Sequence, residues 1–236
     1  MSRIFITGDT HGGIDLYKLN SEPFPEGDGL CKEDYVIIAG DFGFLWDANP
    51  SQTELYNIKL LNSKPWTTLF LDGNHENFDR LDKLRTEQKF GNPVGVVSES
   101  IYHLRRGYVY TIAGKTFWTF GGGFSIDKYR RTEGISWWAR EMPSEAEFER
   151  GLASLEAVDN KVDYIITHSC SNRMFNELSG QTDLNHKVKG EDNLRMYFDR
   201  IDNLVDRKMW YYGHFHYDCL FDDHQELYHL VNEITT

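Results

Sequence analysis

The chain carries little that would staple it, anchor it in a membrane or hold it to a polyanion. Its 236 residues include three cysteines, Cys31, Cys170 and Cys219, an odd and scattered set without the close pairs of a zinc ribbon or a redox motif. Free thiols in a reducing compartment are the expected state. No run approaches the roughly 18 apolar residues that a membrane helix needs, and the first apolar segment, Ile4-Phe5-Ile6, follows almost at once without a signal-peptide pattern. A soluble, cytoplasmic protein without a membrane partner is the expectation. Positive charge is also short: 25 Lys and Arg against 37 Asp and Glu give a formal net charge of -12. That disfavours long nucleic acid, which wants a basic face. Small anions stay open, because bound divalent cations can reverse the local field. Nothing reads as a linker, an internal repeat or a low-complexity stretch, so residues 1–236 are expected to form a single domain.

What the chain does have is an apolar run driven into a small residue and then a ligand-type side chain, five times over. Tyr35-Val36-Ile37-Ile38-Ala39-Gly40-Asp41 suits a strand buried on both faces, as in a parallel sheet, with Asp41 left beyond its carboxyl end where open α/β sheets present their chemistry. The layout recurs at Gly8-Asp9-Thr10-His11, at Gly73-Asn74-His75-Glu76, at Thr167-His168 and at Gly213-His214-Phe215-His216. One Gly-Asp after a strand would be a turn; the repetition points to metal ligation. On an extended backbone Asp9 and His11 would face opposite ways, and His214 and His216 pose the same question; Gly8 and Gly12-Gly13 permit a turn that would converge the first pair.

Between these blocks, the spacing predicts a short helix over 14–19, a loop through Pro23, Pro25, Gly27 and Gly29, and a crossover helix over 52–62 leading to a parallel third strand. Short strands are predicted at 94–97, 101–104, 108–112 and 116–120, paired antiparallel, with Ala113-Gly114-Lys115 as a hairpin turn. Ser144 and Glu147 have capping-box spacing at a helix start, 192–205 reads as an amphipathic helix, and 219–221 with 226–231 as a closing pair of strands.

Taken in order, Gly8-Asp9-Thr10-His11-Gly12, Gly40-Asp41, Gly73-Asn74-His75-Glu76, Thr167-His168 and Gly213-His214-Phe215-His216 resemble the calcineurin-like metallophosphoesterases, of the small phosphatase or phosphodiesterase branch found in bacteria and phages. The resemblance implies an α/β fold, a four-layer αββα sandwich of two mixed sheets flanked by helices, with the active site at the strand carboxyl ends. It implies two divalent transition-metal ions, manganese first, with iron, zinc or nickel as alternatives. Asp9, His11, Asp41 and His216 would hold one; Asp41, Asn74, His168 and His214 the other, with Asp41 shared. His75 would contact the phosphate without binding metal, its ring partly protonated to assist the leaving group. The implied reaction is in-line attack of a metal-bound hydroxide on a small phosphate monoester or diester, the two ions clamping the attacking and leaving oxygens. The substrate is then a small phosphorylated molecule, a nucleotide among the candidates; a nuclease or cyclic-nucleotide phosphodiesterase is the alternative enzyme, and a catalytically silent metal-containing scaffold the alternative from another class. The protein serine/threonine phosphatase branch carries Arg where this chain has Asp72, and Asp-Arg-Gly where it has Phe42-Gly43-Phe44, so a protein substrate is not expected.

Lys128, Arg130 and Arg131 are candidates for a phosphate clamp, since guanidinium grips phosphate oxygens bidentately, with a solvated basic run as the plain alternative. His186 lies in a polar loop that could reach substrate. His103, His224 and His229 are expected to play structural roles and Cys170 to be a spectator. Gly121-Gly122-Gly123 lacks the P-loop lysine and is read as close backbone approach beside the metals. Glu76 would cap the next helix or orient a ligand. Trp137, Trp138 and Tyr129 either rim the pocket or pack in the core.

Overall fold

The computed structural model describes residues 2–184 and 190–235. Two sheets pack face to face. The first is built from β1 (Ile4–Thr7), β2 (Tyr35–Ile38), β3 (Thr67–Phe70), β4 (Arg85–Lys89), β5 (Asn92–Ser98) and β6 (Ile101–Leu104). The second is built from β7 (Tyr108–Ile112), β8 (Lys115–Phe120), β9 (Tyr164–Thr167), β10 (Met209–Tyr212), β11 (Cys219–Leu220) and β12 (His224–Glu226), and the last strand, β13 (Asn232–Glu233), returns to the first sheet's edge. The orders are β13-β1-β2-β3-β6-β5-β4 and β11-β12-β10-β9-β8-β7. In the first sheet β1, β2, β3 and β6 run parallel, and in the second β8, β9, β10 and β12 do.

Alternation along the strands assigns each residue to a layer. Ile4, Ile6, Ile37, Leu69, Phe117 and Ile166 point between the sheets. Their neighbours Phe5, Val36, Ile38 and Phe70 face the first helical layer, where Leu61 of α1 (Gln52–Ser63) and Phe78 and Leu81 of α2 (Phe78–Leu81) cover them. Trp118, Ile165 and Trp210 face the second, covered by Leu155 of α3 (Glu145–Glu156), Met174 and Leu178 of α4 (Asn172–Gln181) and Phe198 and Ile201 of α5 (Asp192–Leu204). That is the four-layer αββα arrangement, and a one-residue slip in β1 or β2 would put the wrong set in each layer.

The local expectations hold closely. Ser51 accepts from the Glu54 N–H to start α1, and the Ser144 N–H donates to Glu147 at 2.8 Å to start α3. Segment 14–19 forms a tight 3-10 turn at Leu16–Leu19. β7 and β8 form the hairpin, with Ala113 (φ 48°) and Gly114 (φ 79°) in the left-handed conformation its turn requires. Three details differ. β4, Arg-Thr-Glu-Gln-Lys, has no apolar residue and was not foreseen; charged side chains suit it because it is an edge strand. The four strands expected to pair with one another split, β5 and β6 in the first sheet and β7 and β8 in the second. The closing strand starts at His224 rather than 226 and ends at Glu226, because the Asp218 carboxylate takes the N–H groups of Tyr228, His229 and Leu230 at 2.8, 3.0 and 3.1 Å and curls the chain into a loop.

Among the described residues no helix is long and apolar enough to cross a membrane.

Candidate metal centre

The loops that leave β1 and β2 are tied together by their backbones. The N–H groups of Thr10 and His11 both donate to the Asp41 carbonyl, at 3.1 and 2.9 Å, and Gly12 donates to the Phe42 carbonyl at 3.0 Å. To reach this arrangement His11 (φ 44°) and Asp41 (φ 42°) turn left-handed, as do His214 (φ 80°) and His216 (φ 63°) after β10. Each such residue costs of order 1–3 kcal/mol and persists only where its surroundings over-determine it. The turns answer the alternation problem. Asp9 and His11 converge, and His216 Nε2 comes within 3.1 Å of Asp9 Oδ2.

Three overlapping groups of ligand-type atoms result: His11, Asp41 and His75 make one, and the other two are the candidate metal clusters. Ligating atoms of Asp9, His11 and His216 lie within 4.8 Å of one another, as do those of Asp41, His168 and His214. Asp41 spans both: Oδ2 is 3.4 Å from His11 Nε2 and Oδ1 is 3.3 Å from His168 Nε2. Asn74 joins the second cluster, with Oδ1 3.2 Å from His168 Nε2. The backbone makes room by omission, since a Cβ on Gly73 would sit 2.1 Å from Asp41 Oδ1 and 2.7 Å from His168 Nε2. Gly123 does the same from the other sheet, where a Cβ would meet His168 Cδ2 at 2.9 Å, so the glycine run is close backbone approach.

The donor set fits a cation. Asp9 Oδ2 is buried without a well-aligned hydrogen bond, although His216 Nε2 lies 3.1 Å away. His168 Nδ1 donates to the Ala39 carbonyl at 3.0 Å, which turns Nε2 toward three further acceptors, Asn74 Oδ1, Asp41 Oδ1 and His214 Nδ1, the last at 3.2 Å. Lone pairs converging without donors are what a metal resolves. The electrostatics agree. Burial lowers His168, but the Asp41 and Asp9 charges raise it to about 10, while burial takes His214 down to about 4. Burial likewise lowers His11, but the hydrogen bond and charge of Asp41 raise it to about 9. Burial would raise Asp41, yet the His168 charge and the His11 hydrogen bond hold it well below the usual carboxylate range. A field that favours protons on His168 and His11 favours a cation in exchange for them, and His214 is left neutral with a lone pair to offer.

A surrounding ring fixes the rotamers, and most of it was invisible in the sequence. Asp15 accepts from His11 Nδ1 at 2.6 Å and from the Tyr228 hydroxyl at 3.2 Å. Tyr228 stacks on His216, rings 4.5 Å apart and inclined by 8°. The buried Lys18 ammonium donates to the Asp9 carbonyl at 2.5 Å and to the Tyr228 carbonyl; burial lowers its pKa to about 8. Glu191 lies 3.7 Å from His214 Nε2. Glu76 takes the second of its two expected roles: it accepts from Phe42 N–H at 2.7 Å and Gly43 N–H at 3.2 Å, holding the loop behind Asp41, while Asn77 caps the helix.

Of the basic candidates, only Arg131 reaches this centre. Arg131 Nη1 donates to His75 Nδ1 at 3.4 Å, and it borders a cavity of about 360 Å³ shared with Asp41, Asn74, His75, His214 and His216. Lys128 packs over Phe124 and Trp137, and Arg130 over the exposed ring of Tyr129, so neither is brought to the cavity. His186 lies outside the described residues. Trp138 is core, 3% exposed, and Tyr129 is 76% exposed. Cys170 is buried, and burial pushes its thiol well above the ordinary value, as suits a spectator. His103 bonds Asp72 at 3.0 Å, His224 bonds Asp223 at 3.0 Å and His229 bonds Tyr17 at 2.7 Å.

No curated protein gives a significant match to the chain. The family model described as calcineurin-like phosphoesterase matches residues 2–218, nearly the whole chain and all five ligand-bearing loops. The chain therefore belongs to the calcineurin-like phosphoesterase family, whose members are metal-dependent phosphoric ester hydrolases.

Proposed function

We propose that the chain hydrolyses a small phosphate ester at a pair of divalent transition-metal ions. The observation that carries this reading is the division of Asp41, one carboxylate oxygen turned to each of the two clusters. Asp9, His11 and His216 would hold the first ion with Asp41, and Asn74, His168 and His214 the second. Oxygen and imidazole donors without thiolate suit manganese, iron, zinc or nickel. Bound there, the pair would lower the pKa of water and neutralise phosphate charge. The protein's own residues would do the rest: Arg131 grips a phosphate oxygen, and His75 donates to the leaving oxygen.

We read His75 as a hydrogen-bond donor through Nε2. Arg131 Nη1 lies 3.4 Å from Nδ1, which favours the tautomer that carries its proton on Nε2. Burial, with the charge of Arg131 adding to it, lowers the pKa against the pull of Asp41, which favours the neutral ring over the partly protonated one expected above. His75→Asn is expected to lower kcat about 100- to 1,000-fold, the size of losing one donor to developing charge, with both metals retained. Steady-state kinetics beside elemental analysis reads this. Loss of metal along with rate would make His75 a ligand instead.

The ring around the first cluster gives a further expectation. Tyr228→Leu removes the plate behind His216 and the donor to Asp15, and should weaken binding of one manganese ion about 10- to 100-fold, read by calorimetric titration of metal-free protein. Two ions bound with unchanged affinity would count against that role.

The reading as a whole is tested by reconstituting the protein with manganese and comparing a chromogenic phosphate monoester with the corresponding diester. Hydrolysis of neither, with two metals bound, would favour a silent scaffold.

A further inference from the structure

A second cavity, about 380 Å³, adjoins the metal centre, and His75 borders both. Its apolar lining comes from Phe44, Trp46 and Ile14, and its polar lining includes Asp47, Ser51 and Glu54. Among the described residues no lysine or arginine lines it, and Glu54 is already paired with Arg80 at 2.5 and 2.7 Å. A second phosphate would meet the Asp47 carboxylate there, while Arg80 is held by Glu54 and His11 by Asp15 and Asp41, so the cavity suits a group that is neutral.

Its shape-giving residue is Trp46. The indole lies near-parallel to the His75 ring, 6.0 Å away and inclined by 29°, and Trp138 meets it edge-on at 5.8 Å and 80°. Two aromatic neighbours fix the indole before any ligand arrives, which favours stacking without an ordering cost. Phe44 is 1% exposed, whereas Ile14 is 80% exposed and has apolar surface for a bound group to cover. None of Ile14, Phe44 and Trp46 belongs to the metal-ligand blocks, so they are free to differ without touching the chemistry.

We propose that this cavity receives a neutral aromatic group carried on the leaving-alcohol side of the substrate, so that the preferred substrates are phosphate esters of alcohols bearing a flat ring. The assignment to the leaving side rests on the reading of His75 as donor to the leaving oxygen. The ring would stack against Trp46 under Ile14, with Asp47 and Ser51 placed to accept hydrogen bonds from its edge. The cavity bordered by Arg131 shares only His75 with this one and remains for the charged part of the ester.

The test separates binding from turnover. Benzylphosphonate and methylphosphonate, which cannot be hydrolysed, are titrated into manganese-loaded protein, with calorimetry as the readout. Benzylphosphonate should bind at least about 10-fold more tightly. Trp46→Leu should cut that ratio at least about fivefold, and Ile14→Asp, at a solvent-exposed lip, should also cut it if the tryptophan variant folds poorly. Equal binding of the two phosphonates, or a ratio unmoved in both variants, overturns the proposal. Hydrolysis of benzyl and methyl phosphate is measured in parallel. Turnover of both with equal KM also overturns it, whereas preferential binding of benzylphosphonate without any turnover supports the cavity's ligand class and sinks the hydrolytic reading alone.

Discussion

Replacing Asp41 with asparagine is expected to abolish the paired centre, with turnover falling by more than the roughly 100-fold that an outer hydrogen-bonding partner typically contributes. The substitution is a clean one because of the backbone. Asp41 sits at φ 42°, and asparagine is among the few side chains that tolerate the left-handed region. Its Oδ1 can still accept from the His75 N–H, now 2.7 Å from the carboxylate. What disappears is charge, and with it the ability of one group to give a strong anionic oxygen to each cluster. In the wild type that charge is fully buried, 1% exposed, and His168 and His11 are held protonatable by it. Without it the two cations would face each other across a neutral amide. Elemental analysis should find fewer than two ions per chain. Two ions and unaltered turnover would end the bridging assignment and with it the two-metal reading.

The features legible in the sequence were those with local signatures. Each ligand loop follows a short apolar run, so the loops could be read without knowing any long-range contact, whereas the αββα layering was an implication of the family resemblance. The caps at Ser51 and Ser144 are likewise three-residue patterns. Contacts made by folding were not legible. Asp15 and Tyr228 are 213 residues apart and Lys18 and Tyr228 are 210 apart, and no spacing rule connects them. Lys18, inside the segment expected to form a short helix, is 1% exposed, and no local pattern signals that burial. β4 was missed because an edge strand needs no apolar face. Lys128 and Arg130 were drawn to the phosphate by charge alone, and aromatic rings hold both elsewhere. Trp46 lies in Phe42-Gly43-Phe44-Leu45-Trp46, which in sequence only marks a departure from the protein phosphatases; folding turns it into a cavity wall.

The same departure explains Asp72 and gives the largest expected effect on stability. At the position where the protein phosphatases carry arginine, this chain has a buried carboxylate. Asp72 Oδ2 accepts from Arg106 Nε at 2.8 Å and forms an ion pair with Nη2 at 2.6 Å, and Oδ1 contacts His103 at 3.0 Å. Both partners are buried, with side chains 2% and 4% exposed. Arg106 also donates to the carbonyls of Arg140 and Glu141 at 3.0 Å each, and the Asp72 carbonyl accepts from Gly122 at 2.9 Å, so the pair joins the end of β3 to the loop after β8. Breaking one member of such a pair strands the other, at a cost of about 3–5 kcal/mol. Arg106→Met should therefore lower the Tm by roughly 6–20 °C, and Asp72→Asn/Arg106→Met should recover part of the loss because no charge is left alone.

The pH dependence carries a definite sign. Burial would raise Asp72, but the Arg106 charge and the His103 hydrogen bond hold it well below its ordinary value. The unfolded chain takes up that proton near pH 4 and the native chain only at lower pH, so the stabilisation is complete above about pH 5 and is lost as pH falls through the depressed native value. Arg106→Met removes the strongest depressing charge. The stability gap between wild type and variant, measured by urea unfolding of the metal-free proteins, should thus be widest near pH 7 and narrow on acidification toward pH 4. A gap that stays constant over that range would mean that Arg106 stabilises by packing against Phe78, whose ring lies 5.3 Å from its guanidinium, and that its charge contributes little.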